Sequence, residues 1–321
     1  MSRDRAPTFV GITTYFAPGG SAIRLENFRR FREHSRRQGL HLVAVELAFG
    51  EEPFVLRPGE DGEALVQRRS TSVLWQKERL LNLALEHLPA SCRAVGWLDA
   101  DVLFEDDTWI ARAEAALERW VILQPFRAVV RLPRDTPPGA LPGHEVGRRI
   151  RRGTETGTYV EPLCKTLRGL LPTFRGTVGY AWCARRSLLD TAGFYDRCIV
   201  GGGDRELAVA FAYPPGKAPR RNLKIHHPAL RAHLIPWQRR VHAEVRGRFG
   251  HLDGVVHHLW HGDQEGRRYA DRQRILEQHD FDPERDLTLD AQGCWAWTGR
   301  NPSLELAVRD YFAGRATAAS A

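Results

Sequence analysis

Short apolar runs alternate with amphipathic segments through the first 130 residues, and this alternation constrains the fold more than any other feature. Thr8 to Tyr15 (TFVGITTY), Leu40 to Leu47 (LHLVAVEL) and Ala94 to Asp99 (AVGWLD) read as strands, rich in β-branched and aromatic residues. Between the first two, Ala22 to Gln38 sets Ile23, Leu25, Phe28 and Phe31 on a charged background and stops at Gly39, as an amphipathic helix does. A short strand over Ala64 to Gln67, a helix from Val73 to Leu88, a helix from Trp109 to Trp120 and a strand from Val121 to Gln124 continue the rhythm. Repeated βα units predict an α/β fold with a mainly parallel twisted sheet flanked by helices. Ligands of such sheets gather at the carboxyl ends of the strands.

The rhythm breaks from Arg131 to Gly157, where Pro133, Pro137, Pro138 and Pro142 fall among five glycines. Long loops of this kind in compact domains are usually functional or disordered. Beyond it the pattern is less regular: strands over Thr177 to Ala184 and Gly254 to Trp260, and helices over Ser187 to Thr191 and Arg267 to Gln278. With 42% hydrophobic and 27% charged residues, the 321-residue chain has the composition of a globular protein, which excludes wholesale disorder, collagen and coiled coil. No run of about 18 apolar residues predicts a transmembrane helix. The amino-terminal residues lead into a strand rather than a signal sequence, and the five cysteines are dispersed; both point to a cytoplasmic protein. The net charge of +8 would suit an acidic partner, although only four of the 47 basic residues are lysine.

Four clusters carry chemistry. Trp97-Leu98-Asp99-Ala100-Asp101 ends a buried strand with two carboxylates, which are costly to bury unless a cation compensates them. A divalent metal shared with a diphosphate would do so; a turn capping the next helix is the plainer use of the same acids. Gly201-Gly202-Gly203-Asp204 lets backbone approach a ligand closely and presents one acid, which is equally placed to cap a helix from Arg205 to Phe211. His257, His258 and His261 lie within five residues, followed by Arg267, Arg268 and Arg272, whose guanidinium groups suit a diphosphate. On a continuous strand His257 and His261 would share a face and His258 the other; spacing leaves both His258 and His261 as candidate ligands. The segment Lys77 to Asn82 precedes the acidic strand, and Lys77 and Arg79 lie nearly opposite on a helix, so one at most faces a site. A phosphate loop is missing its Lys-Ser/Thr ending after Gly19-Gly20-Ser21, and no Gly-x-Ser-x-Gly or Gly-x-Gly-x-x-Gly element follows a strand.

These elements, in this order, resemble the GT-A glycosyltransferases, and the resemblance covers most of the chain. It implies the GT-A fold over residues 1–321, with a nucleotide-sugar-binding half (1–130) and an irregular acceptor and catalytic half (131–321). It implies a nucleoside-diphosphate sugar as donor, Mn²⁺ or Mg²⁺ as cofactor, and a saccharide or other hydroxyl as acceptor. Carried over residue by residue, Asp101 would ligate the metal directly with Asp99 in support, and His258 or His261 would complete the site. Thr13, Thr14, Tyr15 and Glu46 would lie at the nucleotide, Lys77 and Asn82 on the helix behind the donor, and Arg267 and Arg268 at the diphosphate. Asp204 matches the acid that deprotonates the acceptor in inverting members, although Gly203 stands where they often carry a further acid. The competing expectations are a non-catalytic basic module for nucleic acid and a glycosyltransferase acting on a modified DNA base.

Overall fold

The computed structural model describes residues 6–134, 136, 159–160, 176–218, 225–262 and 272–320. The predicted alternation is present: strand β1 (Phe9–Tyr15), helix α1 (Ala22–Arg37), β2 (His41–Phe49), β3 (Ala64–Ser70), α2 (Lys77–Leu85) and β4 (Ala94–Leu98). Parallel pairing of β1 with β2 and β4, and of β2 with β3, forms half of a seven-stranded sheet. The other half adds β9 (Ala181–Arg185) antiparallel to both β4 and β6 (Ile122–Gln124), and β10 (Phe249–His251) parallel to β6. The order is β10-β6-β9-β4-β1-β2-β3. This is the expected α/β architecture, with one antiparallel strand at its centre.

Period-two alternation sends the strand side chains to two faces, each covered by its own core. Val10, Ile12, Val95, Trp97, Trp182 and Ala184 join the cluster under α2, while Phe9, Ala94, Leu98, Ala181 and Cys183 join the opposite cluster. There they meet Phe31 of α1 and Trp109 of α3 (Trp109–Leu117). Helix α1 starts where the Ser21 hydroxyl accepts the Arg24 N–H, and His34, Arg36 and Arg37 in its last turn oppose the negative helix end.

A second sheet, β5-β11-β7-β8, is built from β5 (Val102–Phe104), β7 (Ala128–Arg131), β8 (Tyr159–Val160) and β11 (Val255–His258). Helices α4 (Arg186–Ala192), α5 (Gly203–Ala212), α6 (Pro228–Val245), α7 (Arg272–Gln278), α8 (Pro283–Asp286) and α9 (302–320), with the hairpin β12 (Leu287–Leu289) and β13 (Trp295–Trp297), complete the described chain.

Helix α2 starts at Lys77, four residues later than the periodicity predicts. Trp75 donates its backbone N–H to Ile199 O (2.9 Å), and the buried Gln76 amide clips both backbone groups of Trp295 (3.0 and 2.8 Å). Residues before Lys77 are therefore non-helical, tied to other parts of the chain. Most of the predicted loop from Arg131 to Gly157 lies outside the described residues.

Candidate active site

Strand β4 ends at Leu98, whose carbonyl accepts the buried Thr13 hydroxyl of β1 (2.7 Å). Beyond it Asp99 and Tyr180 hold each other: Asp99 N–H donates to Tyr180 O (2.8 Å), and Tyr180 N–H donates to Asp99 Oδ2 (3.0 Å). Tyr180 takes a left-handed backbone (φ 79°), a conformation that costs a non-glycine residue about 1–3 kcal/mol and is retained where surroundings enforce it.

The chain then leaves the main sheet and enters β5, and the pairing of β5 with β11 builds the next feature. Val102 lies opposite His258 in the antiparallel register, and Leu259 N–H donates to Asp101 O (2.8 Å). Asp101 thus stands beside the end of β11. Its Oδ2 is 3.6 Å from His258 Nε2 and 3.2 Å from His261 Nε2. One ligand atom from each of the three residues falls within 4.8 Å of the others. One carboxylate oxygen and two imidazole nitrogens at chelating separation fit a divalent cation, and the two imidazoles favour a transition metal over Mg²⁺.

The predicted strand face is corrected here. Because β11 ends at His258, strand alternation does not reach His261, and His258 and His261 converge while His257 turns away. His257 is fully buried with Nε2 3.4 Å from Glu105 Oε2, and burial lowers its pKa despite that carboxylate.

Next to this triad lies an ion cluster. Lys77 Nζ is 2.7 Å from Asp99 Oδ1 and 3.4 Å from both carboxylate oxygens of Asp204. Burial alone would lower the Lys77 pKa, but Asp204 and Asp99 outweigh it and hold the ammonium well above its usual range. Burial raises the Asp204 pKa, partly offset by Lys77. Asp204 does not cap its helix. The cap is Gly202, left-handed at φ 110°, and Asp204 sits inside the first turn of α5. Glu78, the neighbour of Lys77, is buried; burial first, then the charge of Asp204, pushes its carboxyl up to about 8, while Trp75 Nε1 donates to its Oε2 (3.1 Å).

The triad, the ion cluster, Thr14, Tyr15, Tyr180 and Arg272 line one hollow of about 490 Å³, the size of a small-ligand site. Three predicted residues are spent elsewhere. Thr13 fixes the end of β4, as above. The buried Glu46 carboxylate accepts Val55 N–H (2.6 Å), Leu56 N–H and the Gln67 amide (2.8 Å), anchoring the loop after β2. Asn82 faces away from Lys77: its amide donates to Phe194 O (3.0 Å) and accepts Phe194 N–H (2.8 Å). Arg267 and Arg268 lie outside the described residues. Sequence reasoning missed Glu78 and Tyr180. Nothing local distinguishes Tyr180, whereas Glu78 offered one signal, its position beside Lys77 on a helix with a buried face.

No family model and no curated protein matches the chain. Among solved structures it is similar to the catalytic domain of Drosophila beta1,4galactosyltransferase 7, crystallised with xylobiose, at 12% identity and a TM-score of 0.33. That alignment covers 63% of this chain and 59% of the other, so the chain spans about three-fifths of its length. It is also similar to a glycosyltransferase involved in glycosylation of the major capsid of PBCV-1, at 10% identity and a TM-score of 0.32 over 85% of this chain and 100% of that one. A third is 4-diphosphocytidyl-2C-methyl-D-erythritol synthase from Anaerococcus prevotii, at 10% identity and a TM-score of 0.34 over 77% and 88%.

Proposed function

We propose that the chain is a metal-dependent glycosyltransferase that moves a hexose or N-acetylhexosamine from a nucleoside-diphosphate sugar to a hydroxyl acceptor with inversion. The observation that carries the reading is the convergence of Asp101, His258 and His261 in the hollow that also holds the Lys77–Asp204 pair. Asp101 with His258 and His261 would hold Mn²⁺, and the cation would supply charge neutralisation for a departing diphosphate. Thr14 and Tyr15, at the carboxyl end of β1, line the same hollow, where they would meet the donor.

Asp204 acts as general base, its carboxylate taking the proton of the acceptor hydroxyl. Burial raises its pKa and so makes it a better proton acceptor than an exposed aspartate, while the charge of Lys77 opposes that rise. Lys77 also fixes the Asp99 carboxylate, whose other oxygen positions Tyr180. Asp99 on this reading shapes the site by these two contacts, with Asp101 as the acid closest to the histidines. An acid on the acceptor face that takes one proton supports a single displacement and hence inversion.

The test is a screen of nucleoside-diphosphate sugars for hydrolysis with and without Mn²⁺. Turnover of one donor class, abolished by chelator, is expected. Absence of metal-dependent turnover across the panel, with salt-sensitive binding to DNA instead, would reject this reading in favour of a basic binding module.

A further inference from the structure

Gly179 faces the two carboxylates of the ion cluster. A Cβ on it would lie 3.9 Å from Asp99 Oδ2 and 3.9 Å from Asp204 Oδ2. Among the described residues, no other atom beyond its chain neighbours would come within 4 Å of that Cβ. Gly179, Asp99, Asp204 and Lys77 all line the hollow. The bare backbone of Gly179 is therefore wall of the hollow beside the oxygens of the candidate base.

Neither backbone nor packing requires glycine at this position. Gly202, which also lines the hollow, is left-handed at φ 110°, whereas the φ of Gly179 lies outside that region. At Gly203 the side chain of Glu78 occupies the room of the missing Cβ, whereas at Gly179 the two carboxylate oxygens stand at ordinary contact distance. An alanine would fit without displacing either. Glycine also loses more conformational freedom on folding than any other residue, so its presence here costs stability. The segment around it is held in place: Gly179 O accepts Ala181 N–H (3.2 Å), Val178 O accepts Trp182 Nε1–H (2.9 Å), and Tyr180 N–H donates to Asp99 Oδ2 (3.0 Å). With the backbone fixed, the size of the side chain at position 179 sets how much room remains next to Asp204.

A hydroxyl that gives its proton to Asp204 brings its oxygen within about 2.6–3.2 Å of the carboxylate. The carbon bearing that oxygen follows one bond further out, in the range where a Cβ on residue 179 would stand. We propose that Gly179 is a specificity-determining position, its missing side chain leaving room beside Asp204 for the carbon skeleton of the acceptor alcohol. On the transferase reading above, with Asp204 as base, Gly179 is the wall against which the acceptor leans. The alcohol oxygen bonds to the anomeric carbon as that carbon's bond to the diphosphate breaks, and the hydroxyl proton passes to the Asp204 carboxylate. Water needs little of the room that Gly179 leaves, and an alcohol needs more of it as its skeleton grows. A side chain at position 179 therefore sorts acceptors by size.

Competition between water and alcohols during donor turnover tests this. The unmodified chain, with Mn²⁺ and the sugar nucleotide it hydrolyses, is incubated with methanol, ethylene glycol or glycerol at molar concentration. Free sugar and alkyl glycoside are then quantified by mass spectrometry. Glycoside should form, and Gly179→Ala and Gly179→Val should lower the ratio of glycoside to free sugar progressively. For glycerol in Gly179→Val the fall should be at least about tenfold, the scale on which one methylene is discriminated in a shaped pocket; methanol should be affected least. The melting temperature of Gly179→Ala should hold or rise, because alanine restricts the unfolded chain. Hydrolysis without glycoside in the unmodified chain, or a ratio unchanged in Gly179→Val, overturns the proposal. Hydrolysis lost in step with glycoside formation overturns it too, since residue 179 would then act on every acceptor alike. A lowered melting temperature in Gly179→Ala would show that the fold itself needs the glycine, with the same consequence. Absence of donor turnover by the unmodified chain is a different result: it rejects the transferase reading, and the assignment of Gly179 falls with it.

Discussion

The side chain of Glu78 fills the space where a side chain on Gly203 would begin, its carboxyl carbon Cδ 2.5 Å and its Cγ 2.7 Å from the position of the missing Cβ. Helix α2 thereby inserts an acid into the first turn of α5, directly beside Asp204. Position 203 is a glycine, and its missing side chain admits Glu78. The two positions act as one unit, with consequences for stability and titration.

Gly203→Ala should destabilise the fold, because the new methyl meets the buried Glu78 side chain, which must shift and strain its hydrogen bond from Trp75 Nε1. Glu78→Ala should relieve much of that cost in the double variant. A double-mutant cycle from denaturant melts measures the coupling, expected at about 0.5–3 kcal/mol for groups in contact. Additive single effects would show that the contact is not felt.

Glu78 also sets a pH dependence. Its pKa lies near 8 in the fold, against an ordinary value of 4.5, so the folded chain holds a proton there that the unfolded chain releases. Stability from this group is therefore greatest below about pH 4.5 and is lost as pH rises to about 8. Asp204 and Lys77 are its charged neighbours; Asp204 shifts in the same direction, and Lys77 does not titrate in this window. Glu78→Gln should flatten the decline in melting temperature between pH 5 and pH 8.5. An unchanged slope would place the titrating group elsewhere.

Asp101→Ala, His258→Ala and His261→Ala should each weaken Mn²⁺ binding by tenfold or more, read by calorimetry, and should abolish metal-dependent donor hydrolysis. Ligand number and geometry set affinity in such sites, so each loss is felt separately. His257→Gln should lower the melting temperature with Mn²⁺ affinity unaltered, since its ring packs toward Glu105. The reverse pattern among the histidines would disprove the triad.

Asp204→Asn preserves shape and removes the proton acceptor. Transfer should fall by about 10²–10⁴-fold while Mn²⁺ and donor affinities stay near those of the unmodified chain. Gly202, not Asp204, caps α5, so a near-normal rate could not be ascribed to a preserved cap. It would mean that another group is the base.

Asn82→Ala separates scaffold from site. Its paired hydrogen bonds to the Phe194 backbone lie on the far side of α2 from Lys77. The substitution should cost about 1–3 kcal/mol of stability, the penalty of leaving partly buried groups unmatched. Donor affinity at permissive temperature should be unchanged; a selective rise in donor KM would return Asn82 to the binding site.

The strand–helix alternation of the first half and the acidic end of β4 were legible in sequence, whereas β9 begins at Ala181, four residues later than its pattern predicts. Burial periodicity is local, and each run of five to nine residues carries its own record of it. Candidates at Asp101, His258, His261 and Asp204 were legible from a buried strand ending in acids, a tight group of histidines and a glycine run. Their mutual arrangement was not. The register that puts Val102 opposite His258 joins segments far apart in the chain, and the end of β11 after His258 frees His261 from strand alternation. The tertiary ties of Trp75 and Gln76 delay α2 to Lys77, and its packing turns Lys77 inward and Asn82 to the far side. Glu78 enters the cluster only because Gly203, 125 positions later, leaves room for it. A single chain pattern records which side chains must be covered; which partner covers them is decided when the sheets and helices pack.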